Sequence, residues 1–206
     1  MGLEAGRETK FEFVGGRLCL DFVNTLNGSR ARPDERLLSY RDLVAWGRQA
    51  GVLTDPEARR LAQAGLRRPE EAAKALADAV ALRETIYRIF AAGCEGRAPD
   101  RADLAVLNAA LPRAFAHLRV SPQGEDYAWE WAVDDALDRM VWPVARSAAE
   151  LLVSDEASRV GRCGQENCDW LFFDTSRNHS RRWCTMRGCG NRAKARRYYA
   201  RKKSGG

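Results

Sequence analysis

Apolar residues recur at helical spacing through most of the first 158 positions. Leu18, Phe22 and Leu26 line one side of a wheel, with Cys19 and Val23 flanking and Asp21, Asn24 and Thr25 opposite. This is an amphipathic helix, entered through a Gly15-Gly16 turn and ended at Asn27-Gly28-Ser29. Ser39 has the place of an N-cap for a helix to Ala50, stopped by Gly51. Thr54-Asp55-Pro56-Glu57 has the form of a capping box with proline in the first turn, and predicts a helix to about Ala64. A longer helix opens at Arg67-Arg68-Pro69, carries Leu76, Val80, Ile86, Ile89 and Phe90 on its apolar side, and breaks at Gly93 to Pro99. Asp100 caps a further short one that Pro112 is expected to end.

The period then changes from helical to alternating. His117–Val120 and Tyr127–Trp131 flank Ser121-Pro122-Gln123-Gly124 and predict a β-hairpin. Asp134 or Asp135 should cap a helix to about Leu152, kinked by Pro143 near Met140 or Val141. Trp170–Phe173 is a short β-prone run, with Arg181–Trp183 expected to pair back on it. After Gly190 the residues Ala193–Arg201 contain no Gly or Pro and read as a final helix.

Charge is divided unevenly along this plan. From Arg159 to Lys203 there are thirteen Lys or Arg against three acids, a net of +10; the whole chain carries +6, so the residues before Arg159 carry −4. An acidic body with a basic tail points to a polyanionic partner for the tail. The same stretch holds Cys163, Cys168, Cys184 and Cys189, spaced C-x4-C, fifteen residues, C-x4-C. Two short cysteine loops separated by a hairpin-length insert match a structural zinc site, in which four thiolates leave no open position for substrate water. Two disulfides or four unrelated thiols are the alternatives. A polar N-terminus without a secretory h-region, and no run approaching the ~20 apolar residues of a membrane helix, suggest a cytoplasmic protein with no membrane partner. Thiols there stay reduced, which favours metal over disulfide. Four thiolates with one zinc lower the charge of the tail by two, so it stays strongly basic.

On a wheel of the last helix, Arg192, Arg196, Tyr199 and Lys203 form one stripe and Lys194, Arg197 and Arg201 another, with Ala195 and Tyr198 between them as the expected contact with the zinc module. A helix charged on two faces fits a groove or a phosphate backbone better than a core. Arg177, Arg181 and Arg182 add cations from the preceding segment. Phosphate contacts would position such a helix, while Arg and Asn side chains, Asn191 among them, suit base edges.

Cys189-Gly190-Asn191-Arg192, with Asp174–Asn178, Arg181–Met186 and Ala193-Lys194, resembles the signature of the CGNR-type zinc finger. Upstream, Gly16–Thr25 is similar to the opening of the ABATE domain, the helical domain that usually precedes this finger. The resemblance spans nearly the whole chain. It implies a bacterial stress-related transcription regulator, with the four cysteines as metal ligands.

Several candidates carry less. His179 is not needed as a ligand beside four cysteines, and His117 has no nucleophile partner. Cys19 and Cys94 read as buried or half-buried thiols, and Trp129, Trp131 and Trp142 as core. Asp21 and Asn24 either line a small ligand pocket or satisfy local backbone groups. No nucleophile–base pair, P-loop or dinucleotide fingerprint occurs, so the chain reads as a non-enzyme. The expected architecture is mainly α: a helical domain with one β-hairpin over about 10–155, then a zinc-ribbon-like module of short hairpin and basic helix over about 159–203. The expected function is zinc-dependent duplex-DNA binding, with the helical domain as sensor or oligomerisation unit and a homodimer plausible. An acidic protein partner, or RNA stacked on Trp170, Phe172, Phe173, Tyr198 and Tyr199, is the alternative.

Overall fold

The computed structural model describes residues 9–204, and the side chains of positions 201, 203 and 204 lie outside that description. Seven helices and three two-stranded antiparallel sheets are present among the described residues. The fold is built around the short helix α1 (Leu18–Val23), whose Cys19, Leu20, Phe22 and Val23 are entirely buried. Around it pack α2 (Tyr40–Gln49), α3 (Asp55–Arg67), α4 (Pro69–Cys94), α5 (Arg101–Ala116) and α6 (Trp142–Val153). Capping boxes start α2, through Ser39 and Asp42, and α3, through Thr54 and Glu57. The Phe22 and Trp46 rings meet edge-to-face, with centroids 4.7 Å apart, joining α1 to α2.

Three expectations for this body are corrected. The first helix stops at Val23 rather than Leu26, and Leu26–Ser29 (β1) pairs with Arg32–Glu35 (β2). Gly28 sits at φ +75, open to glycine but strained for other residues, and a Cβ there would stand 2.8 Å from the Arg32 carbonyl oxygen. Arg83, only 2% exposed, anchors β2: its guanidinium forks onto both Glu35 carboxylate oxygens at 2.7 and 2.6 Å and bonds Glu84 at 2.9 Å. Burial alone would raise the Glu35 pKa, but the Arg83 fork and the Leu37 amide hold it below the usual carboxylate range. Pro112 does not end α5, which runs on to Ala116; the ring lies on the exposed side while Leu107 and Ala114 hold the helix to the core. Pro143 produces no kink. The helix α6 begins at Trp142, so the proline occupies its first turn, where no amide bond is lost. Asp134 and Asp135 do not cap it, and a 3₁₀ turn at Arg139–Val141 leads in instead.

The hairpin of β3 (Leu118–Gln123) and β4 (Asp126–Trp131) forms as its alternation predicts, but it turns at Gly124-Glu125, so Ser121-Pro122-Gln123, expected in the turn, belong to β3. Trp142 is buried and Trp131 half-buried against it, but Trp129 is 59% exposed and is not core.

The C-terminal part is fused to this body. β5 (Val160–Arg162) pairs with β6 (Leu171–Phe173), so β6 does not pair with Arg181–Trp183 as expected. Alternation sends Leu171 and Phe173 into the helical core and Trp170 and Phe172 into a second core around the cysteines. The free edge of β6 is covered too. The Asn24 amide gives one hydrogen bond to the Leu171 carbonyl at 2.8 Å and accepts one from its amide at 2.9 Å, and the Phe173 amide donates to the Gly15 carbonyl at 2.7 Å. Asn24 therefore acts as a strand partner, and Asp21 likewise holds backbone, accepting from the Gly15 amide at 2.7 Å.

Burial pushes the Asp21 pKa up to about 6, against two backbone amides that pull it down. The folded state thus disfavours the ionised form, fully above pH 6 and not at all below the unfolded pKa of roughly 4. We expect Asp21→Asn, which keeps the acceptor oxygen, to stabilise the fold at pH 8 by on the order of 1–3 kcal/mol, with the gain vanishing as pH falls toward 4. Urea unfolding of both proteins across that range checks it, because zinc-ligand protonation cancels in the difference. A gain that grew in acid would reverse the assignment.

Candidate metal centre

Each half of the centre is shaped by main-chain bonds that the cysteines themselves extend. The Cys163 amide continues the β5–β6 ladder by donating to the Trp170 carbonyl at 2.9 Å, and the Cys168 amide closes the first loop on the Gln165 carbonyl at 3.0 Å. In the second loop, Thr185 caps a π-helical turn over Met186–Gly190: its hydroxyl accepts from Gly188 at 3.0 Å and its carbonyl from Gly190 at 3.0 Å. Helix α7 (Asn191–Ser204) follows without a break. Asp174, buried, ties the intervening loop by accepting from Ser176 and Arg181 amides at 2.7 and 2.9 Å, and the Ser176 contacts hold its carboxyl low.

The four sulfurs come together. All lie within 4.8 Å of one another, and every one of these cysteines is buried and free. Cys168 and Cys184 are 3.9 Å apart and Cys184 and Cys189 3.4 Å. A disulfide needs about 2 Å, whereas a tetrahedral zinc with Zn–S bonds near 2.3 Å sets sulfurs about 3.8 Å apart. The spacing and the all-thiolate chemistry thus fit a metal ion, and zinc in particular. Protonation equilibria agree. Hydrogen bonds donated by Cys168 and Cys184 pull the Cys163 thiol down, and donating them pushes Cys168 and Cys184 up. Thiols packed this closely cannot all ionise without a cation, and a divalent metal takes the place of their protons. Four sulfur ligands close the coordination sphere, so the bound ion would hold shape.

The sequence-predicted cations divide by what they touch. Arg181 points inward: it donates to the carbonyls of Trp183, Phe173 and Val14 at 3.1, 3.1 and 3.0 Å and lies over the Phe172 ring at 4.3 Å. Arg192 donates to the Cys189 sulfur at 3.0 Å, and Arg196 bonds Glu166 of the first loop at 2.7 Å. The contact of α7 with the module is Ala193, which is buried; Ala195 and Tyr198, expected there, are exposed. Arg177, Arg182, Lys194 and Arg197 are exposed, and the Asn191 amide donates to the Arg187 carbonyl at 3.2 Å. Arg201 is helical, but its side chain is outside the described residues. His179, exposed at φ 48, is a loop residue and no ligand. Sequence reasoning passed over two residues: Glu166, the acid that fixes Arg196, and Arg187, an exposed cation whose place between Cys184 and Cys189 was the available signal.

A closed four-cysteine centre under a basic helix, welded to a helical body, defines a zinc-finger protein with a dedicated partner domain. The chain belongs to the ABATE family, described as "Putative stress-induced transcription regulator", whose model matches residues 16–155. The CGNR zinc finger model matches residues 159–202. Neither is an enzyme family. No curated protein matches the chain. No described helix is long and apolar enough to cross a membrane.

Two outcomes test the centre. The purified chain should carry one zinc, lost in Cys168→Ser together with a lowered melting temperature, since structural zinc supplies on the order of 10 kcal/mol of folding free energy. A metal-free chain that melts unchanged would remove the site. Arg192→Ala should keep the one-to-one stoichiometry but weaken zinc roughly tenfold, the usual scale for a group that hydrogen-bonds a ligand. Chelator competition and the cobalt-substituted absorption spectrum read that, and Arg192→Lys should recover part of it.

Proposed function

We propose that the chain is a zinc-dependent duplex-DNA-binding transcription regulator whose contacts come from the outward face of α7. One observation carries this reading. Arg192, Ala193 and Arg196 are turned toward the module, so the wheel leaves Lys194, Arg197 and position 201 on the other side. That face has no core to cover: Lys194, Arg197 and Tyr198 are all exposed. Arg177, Arg182 and Arg187 extend the positive field of the same module. The contact set therefore shifts within the predicted residues. Lys194 and Arg197, with Arg201 one turn on, meet phosphate, whereas Arg192 and Arg196 hold the helix in place and Arg181 holds the loop before it. Asn191 lies at the start of the helix, where it serves the turn as well as a base edge. The helical body, acidic in net charge, would carry the signal or the assembly surface.

Removing Lys194 and Arg197 together should lower duplex affinity and reduce the slope of log affinity against log salt by about two, close to 0.9 per phosphate contact. Arg181→Ala should instead cost stability. An unchanged slope in the double variant would discard this face. Preference for single-stranded competitor would move the reading to RNA-like ligands stacked on Tyr198 and Tyr199, and nuclease-resistant binding to an acidic protein would move it to a docking module.

A further inference from the structure

The β3–β4 hairpin has an apolar face that begins in the core and continues beyond it. Its register places Leu118 opposite Trp131, Val120 opposite Trp129 and Pro122 opposite Tyr127, all on one face. The other face holds Arg119 opposite Glu130, Ser121 opposite Ala128 and Gln123 opposite Asp126. At its base the apolar face is packed: Trp131 lies 6.3 Å from Trp142, whose ring also stacks on His117 at 3.9 Å. One pair further out the packing stops. Val120, Trp129 and Tyr127 are 60, 59 and 74% exposed. Among the described residues neither long edge of the hairpin has a third strand.

A two-stranded ribbon is marginal in water and needs further strands or a packing partner on its apolar face. Large aromatics carry on the order of 200 Å² each, so with Val120 and Pro122 this face offers roughly 400 Å². That is the size of a functional patch on a monomer and about half of the ~800 Å² per partner that a stable interface buries. The rim identifies the occupant. Arg146 of α6 lies 5.1 Å from the Trp129 ring and pairs with Glu150 one turn on at 2.6 Å. A rim of alternating sign suits neither a polyanion nor a polycation. It does suit itself, because a twofold interface sets each patch against its own copy and brings positive against negative.

We propose that this face is the homodimer interface: two hairpins pack through Val120, Trp129 and Tyr127, with Arg146 of one copy beside Glu150 of the other. The arrangement gives the working unit two zinc modules, as paired half-sites on DNA require. It stands apart from the DNA reading, since self-association is measured without DNA.

Sedimentation velocity of the zinc-loaded full chain decides it. The parent should be dimeric at roughly micromolar concentration. Val120→Glu with Tyr127→Glu sets four carboxylates face to face and should give a monomer with unchanged helical circular dichroism and zinc content. Val120→Thr with Tyr127→Thr keeps strand-forming residues and should weaken the dimer at least tenfold, which covers the case in which the charged variant misfolds. A parent that stays monomeric at about a hundred times that concentration overturns the proposal. So does a dimer that both variants leave intact.

Discussion

The strand Leu171–Phe173 joins the two halves of the molecule. Leu171, Phe172 and Phe173 are 0, 1 and 2% exposed, a burial that a three-residue strand reaches only when both faces and both edges are occupied. Period two divides its side chains between a helical core and a cysteine core, β5 takes one edge, and the Asn24 amide with the Gly15 carbonyl takes the other. Each buried amide hydrogen bond is modest in net value, but an unpaired backbone group in this position costs about 1–3 kcal/mol, so the clamp is a requirement of placing a strand there. Gly161 belongs to the same constraint. A Cβ on it would stand 2.7 Å from the Phe172 ring, so only glycine lets the ring lie flat over β5. The β1–β2 hairpin bears on the same region: Trp170 donates to the Leu26 carbonyl at 2.9 Å, and Asp169 accepts from the Arg30 amide at 2.6 Å. The first cysteine loop is therefore held by the helical body as well as by its own sulfurs.

Arginines in the basic module do three different jobs, and charge alone does not separate them. Arg181 is enclosed by carbonyl oxygens and an aromatic face, a site that uses the planar fork and would be served poorly by lysine. Arg192 and Arg196 tie α7 to a sulfur and to a carboxylate of opposite loops. Arg159 and Arg162 are tied as well, to the Asp174 carbonyl at 3.0 Å and to Glu95 at 3.1 Å, so among the described residues it is cations such as Arg177, Arg182, Lys194 and Arg197 that can meet an outside anion without breaking a contact of this kind. A tail with a net of +10 thus presents a smaller free cationic surface than its sequence suggests.

What could be read from the chain beforehand depended on how local each signal is. Ser39 with Asp42 and Thr54 with Glu57 announce helix starts because the bonds that make them close within four residues. The four cysteines announce their site through spacing. The prolines misled because their effect is positional: Pro112 lies on an exposed helical side and Pro143 in a first turn, and neither location is written in the neighbouring residues. The strands Leu26–Ser29 and Arg32–Glu35 have no alternation to detect; Arg83, about fifty positions away, makes the pairing worthwhile. The wheel of α7 placed Ala195 and Tyr198 against the module, whereas the inward side is set by Glu166 and by the Cys189 sulfur, which hold Arg196 and Arg192, and by the buried Ala193.

The direction of α7 is the property most exposed to the metal. Cys189 is the second residue before the helix, and the π-helical turn that contains it runs straight into Asn191. Little else holds the helix, since Ala193 is its one buried residue among those described. An amphipathic helix would keep its orientation by packing; this one, charged on two faces and with Ala193 alone buried among the described residues, has no apolar stripe with which to do so. Its orientation must come from the sulfur cluster through Cys189 and Arg192 and from the first loop through Glu166 and Arg196. Both loops converge on the four sulfurs, so one ion fixes all of these anchors at once. Loss of the ion would release the helix from the body, and a freed helix of 14 residues is only marginally stable in water. Zinc here sets the angle at which a basic helix is presented, and that angle separates a positioned contact surface from a merely cationic tail.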